Sequence, residues 1–85
     1  MKKTRILIAD DHAVMRMGLS APIDSVEEFT VIGEASDGNE ALELALRSKP
    51  DVVVMDIYMP GLDGISATDK IKGSVPEAKI LILRK

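Results

Sequence analysis

Three aspartates carry the chemistry that this sequence suggests, and each follows a short apolar run. Asp56 comes directly after residues 52–55, which read VVVM, and Asp10 and Asp11 follow residues 6–9, which read ILIA. In open α/β sheets, ligands bind beyond the carboxyl ends of the strands. If the two runs are neighbouring parallel strands, three carboxylates lie at one edge of a sheet.

Carboxylates in such a cluster need a compensating positive charge. Like charges a few ångströms apart repel by ~1 kcal/mol in water, and by several-fold more at a partly buried site. Mg²⁺ prefers oxygen ligands and is usually held by one or two carboxylates with waters and a phosphate. A single aspartate after a strand can equally be a turn former or a helix N-cap. The three together favour a cation site.

The elements that position these aspartates form the pattern βαβαβαβ. Strands that are apolar on both faces belong in a parallel sheet covered by helices. The second strand carries Glu34 and follows Glu27 and Glu28, so we expect it at an edge of the sheet. The predicted strands are 2–10, Phe29–Ala35, 52–55 and Lys79–Leu83, and the predicted helices are 12–20, 40–49 and 65–72.

Local signals set the expected helix ends. Asp11 is a candidate N-cap for the first helix, and Pro22 should end or kink that helix near residues 18–21, because proline lacks the amide donor. Residues 36–39, SDGN, form a turn that also caps the second helix, and Gly73 should close the third. The side chains expected to face inward are Ala41, Leu42, Ala45 and Leu46 in the second helix and Ile65, Thr68 and Ile71 in the third.

Composition limits the chain to one small domain. The 85 residues are 46% hydrophobic, carry a net charge of −3 and include no cysteine, which excludes disulfides and thiolate metal sites. The charge pattern gives no electrostatic footprint for nucleic acid. The first apolar run is four residues long, too short for a signal peptide or a membrane span. We therefore expect a cytoplasmic location and no membrane contact.

These motifs together resemble the receiver domain of bacterial two-component response regulators. The resemblance implies a flavodoxin-like (CheY-like) α/β fold, with a parallel sheet and helices on both faces. The pattern looks most like the NarL/LuxR-type subfamily. The residues that carry the resemblance are Asp10-Asp11-His12, Arg16, Gly18-Leu19, Gly33-Glu34-Ala35, Asp37-Gly38, Glu40-Ala41-Leu42, Asp56, Met59-Pro60-Gly61 and Asp63-Gly64.

The resemblance also implies roles for the residues of the site. Asp56 would accept a phosphoryl group from a sensor histidine kinase or a small acyl phosphate. Asp11, Asp56 and the backbone carbonyl of Tyr58 would bind Mg²⁺, with Asp10 acting mainly through water. His12 would begin the first helix, with a structural or capping role, and would not be a phosphoryl donor.

The chain departs from the family pattern after its fourth strand. The family has a fifth strand with flanking helices, so residues 1–85 are expected to be a partial receiver domain, lacking those elements. The family's Thr or Ser at the end of the fourth strand falls at Arg84 by spacing. The family's phosphate-contacting Lys has no counterpart, and Lys85 is not that residue. We therefore expect defective switching.

The same departure predicts the partners. Without a fifth strand, residues Lys79–Leu83 form an exposed apolar edge, which can pair with another chain. We expect a homo-oligomer through this edge. The helix-turn-helix domain that usually follows such receivers is not in this segment, so no direct contact with nucleic acid is expected.

Other interpretations are a non-signalling interaction module and two enzyme-like classes. A receiver remnant could bind a kinase or its own copies without being phosphorylated or switching. Aspartate-dependent phosphohydrolases resemble one another in a D-x-D-x-T/V pattern, and the position of their second Asp is Tyr58 here. A dinucleotide-binding unit would need G-x-G-x-x-G after the first strand. We therefore do not expect an enzyme.

Overall fold

The computed structural model describes residues 2–83, along which four strands and three helices alternate. All strand pairings are parallel, and the sheet order is β2-β1-β3-β4. The predicted fold class, a parallel sheet with helices on both faces, is confirmed. The elements are β1 (Thr4–Ala9), α1 (Ala13–Asp24), β2 (Phe29–Ala35), α2 (Gly38–Ser48), β3 (Val52–Asp56), α3 (Gly64–Ser74) and β4 (Lys79–Leu83).

Two hydrophobic clusters lie on opposite faces of the sheet. One cluster joins the sheet to α2 and α3, and the other joins it to α1. Because β1 and β3 lie at the centre of the sheet, their side chains are buried on both faces, which explains their continuous apolar sequences. The buried members of the first cluster include Leu7, Val53, Met55, Ala41, Ala45, Ala67 and Ile71, and those of the second are Ile6, Ile8 and Val54.

The strands agree closely with the sequence prediction. β2 and β4 have the predicted bounds, and β2 lies at one edge of the sheet as its acidic residues suggested. β4 lies at the opposite edge of the described sheet. It follows β3 in the order β2-β1-β3-β4.

α1 is longer than the predicted range of 12–20. It continues through Pro22 to Asp24, so it does not end near residues 18–21, and the alternative of a kink there stays a prediction. Proline removes one hydrogen bond, but the next turn is stabilised by Ser25, whose amide donates to the Ala21 carbonyl at 3.0 Å. The Ser25 hydroxyl also donates to the Pro22 carbonyl at 2.6 Å.

α3 also extends beyond its predicted end. It includes Gly73, which is therefore not the closing residue, and its C-cap is Val75. Val75 is only 2% exposed, and its amide donates to the Ile71 carbonyl. Lys72 Nζ donates to the carbonyls of Pro76 and Ala78 at 2.9 and 2.8 Å, which holds the following loop against the helix. The burial of Val75 and its hydrogen bond to Ile71 thus extend α3 beyond its predicted end.

Two predicted inward positions face solvent. Ile65 is 53% exposed and Leu46 is 45% exposed. The inward face of α3 is formed by Ala67 and Ile71, and that of α2 by Ala41 and Ala45. Small residues allow these helices to lie close to the sheet and to each other, so the larger neighbours rotate outward. Along residues 2–83, no helix combines the length and apolar character needed to cross a membrane.

Candidate functional site

The register between β1 and β3 places two aspartates side by side. Ala9 pairs with Met55, so the residues that follow, Asp10 and Asp56, leave neighbouring strands at the same level. Both side chains are fully buried. The Asp10 amide still donates to the Ala35 carbonyl at 3.0 Å, which extends the ladder with β2 by one residue. Backbone pairing therefore fixes where the two carboxylates lie.

Each buried carboxylate accepts a hydrogen bond from the backbone two residues later. His12 N–H donates to Asp10 Oδ1 at 2.8 Å, and Tyr58 N–H donates to Asp56 Oδ1 at 3.2 Å. Such Asx turns tie an aspartate side chain to the loop that follows it. The two loops after β1 and β3 thus orient the carboxylates at the strand ends.

The structure brings the three predicted aspartates together with a histidine. Asp10, Asp11, His12 and Asp56 each offer one ligand atom, and these atoms all lie within 4.8 Å of one another. Asp11 is more open than the other two, with a side chain that is 27% exposed. Three carboxylates in this volume match the oxygen donors that a hard cation such as Mg²⁺ requires. The donor set therefore fits the cation that the sequence predicted.

Tyr58 contributes its backbone to the site. Its side chain is 69% exposed, and its amide binds Asp56 as described above. The role of its carbonyl as a metal ligand stays a prediction. Tyr58 and Ile65 line an open cleft of about 520 Å³. Arg84, the position predicted for the family's Thr or Ser, lies outside the described residues.

The N-cap of α1 is His12 and not Asp11, which corrects the sequence prediction. His12 has the extended backbone of an N-cap, but its side chain makes no capping hydrogen bond. Its Nδ1 atom lies 3.0 Å from Asp11 Oδ1 and 3.4 Å from Asp10 Oδ1. The imidazole is therefore directed at the acidic cluster, and the predicted capping role belongs to its backbone alone.

Arg16 is a contributor to the site whose role the sequence did not predict. Its Nη1 donates to the Asp10 carbonyl at 2.6 Å, and its Nε lies 3.6 Å from Glu34 Oε1. Glu34 in turn accepts a hydrogen bond from Ser20 Oγ at 3.1 Å. The available signal was spacing, since residue 16 follows residue 12 by one helical turn and so lies on the same face of α1.

The start of α3 packs tightly against the end of β3. The Gly64 amide donates to the Ile57 carbonyl at 3.0 Å. A Cβ atom on Gly64 would lie 2.3 Å from the Asp56 carbonyl oxygen, so only glycine allows this approach. Asp63 caps the helix by accepting the Ser66 amide at 2.8 Å. Asp56 is thereby held between its own strand and the first turn of α3.

Known regulatory proteins can be aligned with most of this sequence. Residues 6–84 match the response regulator receiver domain family. The transcriptional regulatory protein LiaR of Bacillus subtilis is 47% identical over 79 residues, and the oxygen regulatory protein NreC of Staphylococcus haemolyticus is 50% identical over 80. Each alignment covers 93% of this chain, but the chain spans only 37% of the length of these curated relatives.

Solved structures show the same arrangement of elements. The response regulator domain of Thermotoga maritima CheB superposes with a TM-score of 0.91 at 43% identity, covering 95% of this chain and 60% of that one. The receiver domain of a putative response regulator NarL from Mycobacterium tuberculosis gives 0.91 at 33% identity, covering 96% and 66%. A LuxR-family regulator from Aurantimonas gives 0.88 at 40% identity, covering 95% and 58%. With its sheet order, its cluster of aspartates and these likenesses in agreement, the chain belongs to the response regulator receiver domain family.

Proposed function

We propose that Asp56 accepts a phosphoryl group in a Mg²⁺-dependent reaction. The observation that carries this proposal is the convergence of Asp10, Asp11 and Asp56 within 4.8 Å at the ends of neighbouring strands. These aspartates and the Tyr58 carbonyl would hold the cation, with Asp10 acting mainly through water. Residues 1–85 would then form one partial receiver domain, a regulatory module and not an enzyme acting on an external substrate.

The chemistry requires a nucleophile at a fixed position. A carboxylate oxygen of Asp56 attacks the phosphorus atom in line, forms an O–P bond and gives an acyl phosphate, while the bond from phosphorus to the donor breaks. With phosphohistidine as the donor, the leaving group is the imidazole nitrogen, which takes up a proton. A bound Mg²⁺ would neutralise charge on the transferred oxygens. Asp56 is suited to this step because its strand, its Asx turn and α3 all restrict its movement.

Family membership supports the proposed partner and location. Receiver domains of the NarL/LuxR type interact with histidine kinases, so we infer that a kinase supplies the phosphoryl group in the cytoplasm. LiaR and NreC bear the names of regulatory proteins more than twice as long as this chain. In such proteins the output domain would contact DNA, and we propose that residues 1–85 do not.

The direct test is the intact mass of the chain after incubation with acetyl phosphate and Mg²⁺. We expect the wild-type chain to gain one phosphoryl group and Asp56→Asn to gain none. Asp69→Asn is a matched control, since Asp69 is an exposed aspartate on α3, and this variant should react as the wild type does. Chelation of Mg²⁺ should abolish the gain. An unmodified wild-type chain that circular dichroism shows to be folded would contradict the proposal.

A second candidate function is self-association without switching. Leu81 and Ile82 on the edge strand β4 are 58% and 37% exposed. An apolar edge strand presents unpaired backbone groups to another chain. We propose that the 85-residue polypeptide forms homo-oligomers through this edge and that, tested alone, it does not couple phosphorylation to output. Light scattering should give a mass above that of one chain.

A further inference from the structure

A basic cleft lies at the amino ends of the strands, opposite the edge that carries the aspartates. In a parallel sheet the strands all begin at one edge, so β1 with the residues before it, β2 and the loop before β3 line this cleft together. Its volume is about 690 Å³, and its lining includes Lys2, Lys3, Arg5, Thr30, Lys49 and Asp51. Four cationic side chains thus border the cleft with one carboxylate, although the chain carries a net charge of −3.

Arg5 and Thr30 lie side by side in this cleft. They are partners in the register of β1 and β2, so their side chains share one face of the sheet. Leu7, two residues after Arg5, lies on the same face and packs in the cluster beneath α2 and α3. The Arg5 side chain extends towards the end of α2, where its Nη1 donates to the Lys49 carbonyl at 3.0 Å. A guanidinium beside a hydroxyl offers hydrogen-bond donors that suit phosphate oxygens.

Lys49 has a backbone conformation that lysine rarely adopts. Its φ and ψ are 48° and 67°, in the left-handed region that favours glycine or asparagine. Among residues 2–83 it is the one residue other than glycine with a positive φ. Its amide donates to the Ala45 carbonyl at 2.8 Å, which glycine in this place would do equally well. The fold requires the left-handed turn but not the lysine side chain, whose place in the cleft therefore points to a role in binding.

The charges of the three lysines are not balanced by carboxylates that line the cleft. Asp51 Oδ2 accepts a hydrogen bond from the Arg5 amide at 2.8 Å. Along residues 2–83, no ion pair includes one of these lysines. The pair Glu27-Glu28 lines a separate, smaller hollow with Lys2 and Lys3. The larger cleft is therefore a place where an anion would meet an excess of positive charge.

We propose that this cleft binds a small anion that carries a chain of phosphate groups. The three lysines would neutralise its charge, and the Arg5 guanidinium and the Thr30 hydroxyl would donate to its oxygens. The volume of the cleft is within the range of about 300–1,000 Å³ that is typical of small-ligand sites. The inference goes beyond the proposed function, because no residue of the acidic cluster lines this cleft.

The test is a calorimetric titration of the 85-residue chain with sodium tripolyphosphate, in a buffer without divalent cations. We expect saturable binding of one anion per chain, weaker at higher NaCl concentration and weaker for orthophosphate. Lys49→Asn should lower the affinity by about tenfold, because a charged hydrogen bond is lost. The same variant should unfold at an equal or higher urea concentration than the wild type, since asparagine tolerates the left-handed conformation. Loss of affinity without loss of stability would separate binding from a structural role.

Two controls locate the site. Lys70→Gln removes one positive charge from an exposed position on α3, and this variant should bind tripolyphosphate as the wild type does. In amide NMR spectra, tripolyphosphate should shift the signals of Arg5, Thr30 and Lys49 and leave that of Asp56 in place. ATP, titrated in the same way, distinguishes two sources of the phosphate chain. Equal affinity would assign the site to the chain of phosphates alone, and tighter binding of ATP would assign it to a nucleotide.

Equal affinities of Lys49→Asn and the wild type would overturn the proposal. An equal loss of affinity in Lys70→Gln would do the same, because it would show that the anion responds only to the total charge of the chain. Absence of saturable binding by a chain that circular dichroism shows to be folded would also exclude the site. Asp56→Asn should bind tripolyphosphate as the wild type does, so this result is read independently of the phosphorylation assay.

Discussion

At the scale of the residue, Arg16 links α1 to the backbone beside the acidic cluster. Its guanidinium donates to the Asp10 carbonyl at 2.6 Å, and only 19% of its side chain is exposed. A charged donor in a partly buried place makes a stronger hydrogen bond than a neutral one. The peptide that this bond holds joins Asp10 to Asp11. Arg16 therefore positions the loop that carries two of the proposed metal ligands.

We expect Arg16→Gln to weaken Mg²⁺ binding by about tenfold, as is typical when a group that orients a metal ligand is removed. The glutamine side chain is shorter and uncharged, so it cannot make the same charged hydrogen bond to the Asp10 carbonyl. The measurement is a calorimetric Mg²⁺ titration. Glu34→Gln is the companion variant and should weaken Mg²⁺ binding much less than Arg16→Gln does. The Glu34 side chain is 41% exposed, and exposed ion pairs contribute little. Equal affinities in Arg16→Gln and wild type would show that the Asp10–Asp11 peptide keeps its place without Arg16.

The aspartates could be predicted from the sequence, whereas the groups around them could not. Asp10 and Asp56 follow apolar runs, and the geometry of parallel sheets then brings strand ends together. The contacts of His12 and Arg16 depend on the rotation of α1 about its axis. The sequence of α1 has no strong apolar stripe from which that rotation could be predicted. No residue of α1 is fully buried.

At the scale of the element, α3 contains two glycines with opposite roles. Gly64 begins the helix, where a Cβ atom would lie 2.3 Å from the Asp56 carbonyl oxygen and 2.7 Å from the Ile57 Cα. Gly73 lies in the last turn, where a Cβ atom would meet nothing within 4 Å. One glycine is required by packing, and the other only adds conformational entropy to the unfolded chain.

Gly73→Ala should therefore raise the free energy of unfolding by about 0.5–1 kcal/mol. Gly64→Ala should lower it by about 1–3 kcal/mol, since backbone atoms of β3 must shift to admit the methyl group. Urea unfolding followed by circular dichroism measures both. The Gly64 variant should also be phosphorylated more slowly, because the shift moves Asp56. A stabilising effect of Gly64→Ala would be incompatible with the close approach of α3 to β3.

Strands were easier to predict than helix ends. β2 and β4 were predicted at their observed bounds, because apolar runs flanked by charged or turn residues define a strand locally. The ends of α1 and α3 depend on contacts beyond the local sequence. Burial of Val75 extends α3 past Gly73, and the hydrogen bonds of Ser25 sustain α1 past Pro22. Local rules for proline and glycine do not include these contacts.

At the scale of the whole molecule, the two edges of the sheet formed by the described residues differ. β2 has α1 packed against one face and α2 against the other, and Glu34 lies exposed on it. β4 is mostly exposed, with Leu81 directed to the α1 face and Ile82 to the α3 face. Charged residues and covering helices protect an edge strand from pairing with other chains, and β4 has little of either.

We expect Leu81→Lys to reduce the self-association of the 85-residue chain, because a lysine on an edge strand opposes pairing. Leu46→Lys is the matched control. Leu46 is 45% exposed on α2, and this variant should associate as the wild type does. Light scattering over a range of concentrations up to tens of micromolar gives the comparison. A wild-type chain that stays monomeric throughout would rule out association through β4.

The lack of fully buried residues in α1 has a consequence for motion in this domain. An element held by few buried contacts opens at a lower free energy than the strands to which it is attached. His12 is the N-cap of α1, so the opening of α1 would carry the imidazole and the Asp11 peptide away from Asp56 while β1 and β3 remain paired. In the acidic cluster, Asp56 would thus stay with the paired central strands, whereas His12 and the Asp11 peptide would move with α1. A cation bound to both parts of the cluster would oppose the opening of α1, and it would therefore slow the exchange of the α1 amide hydrogens with solvent.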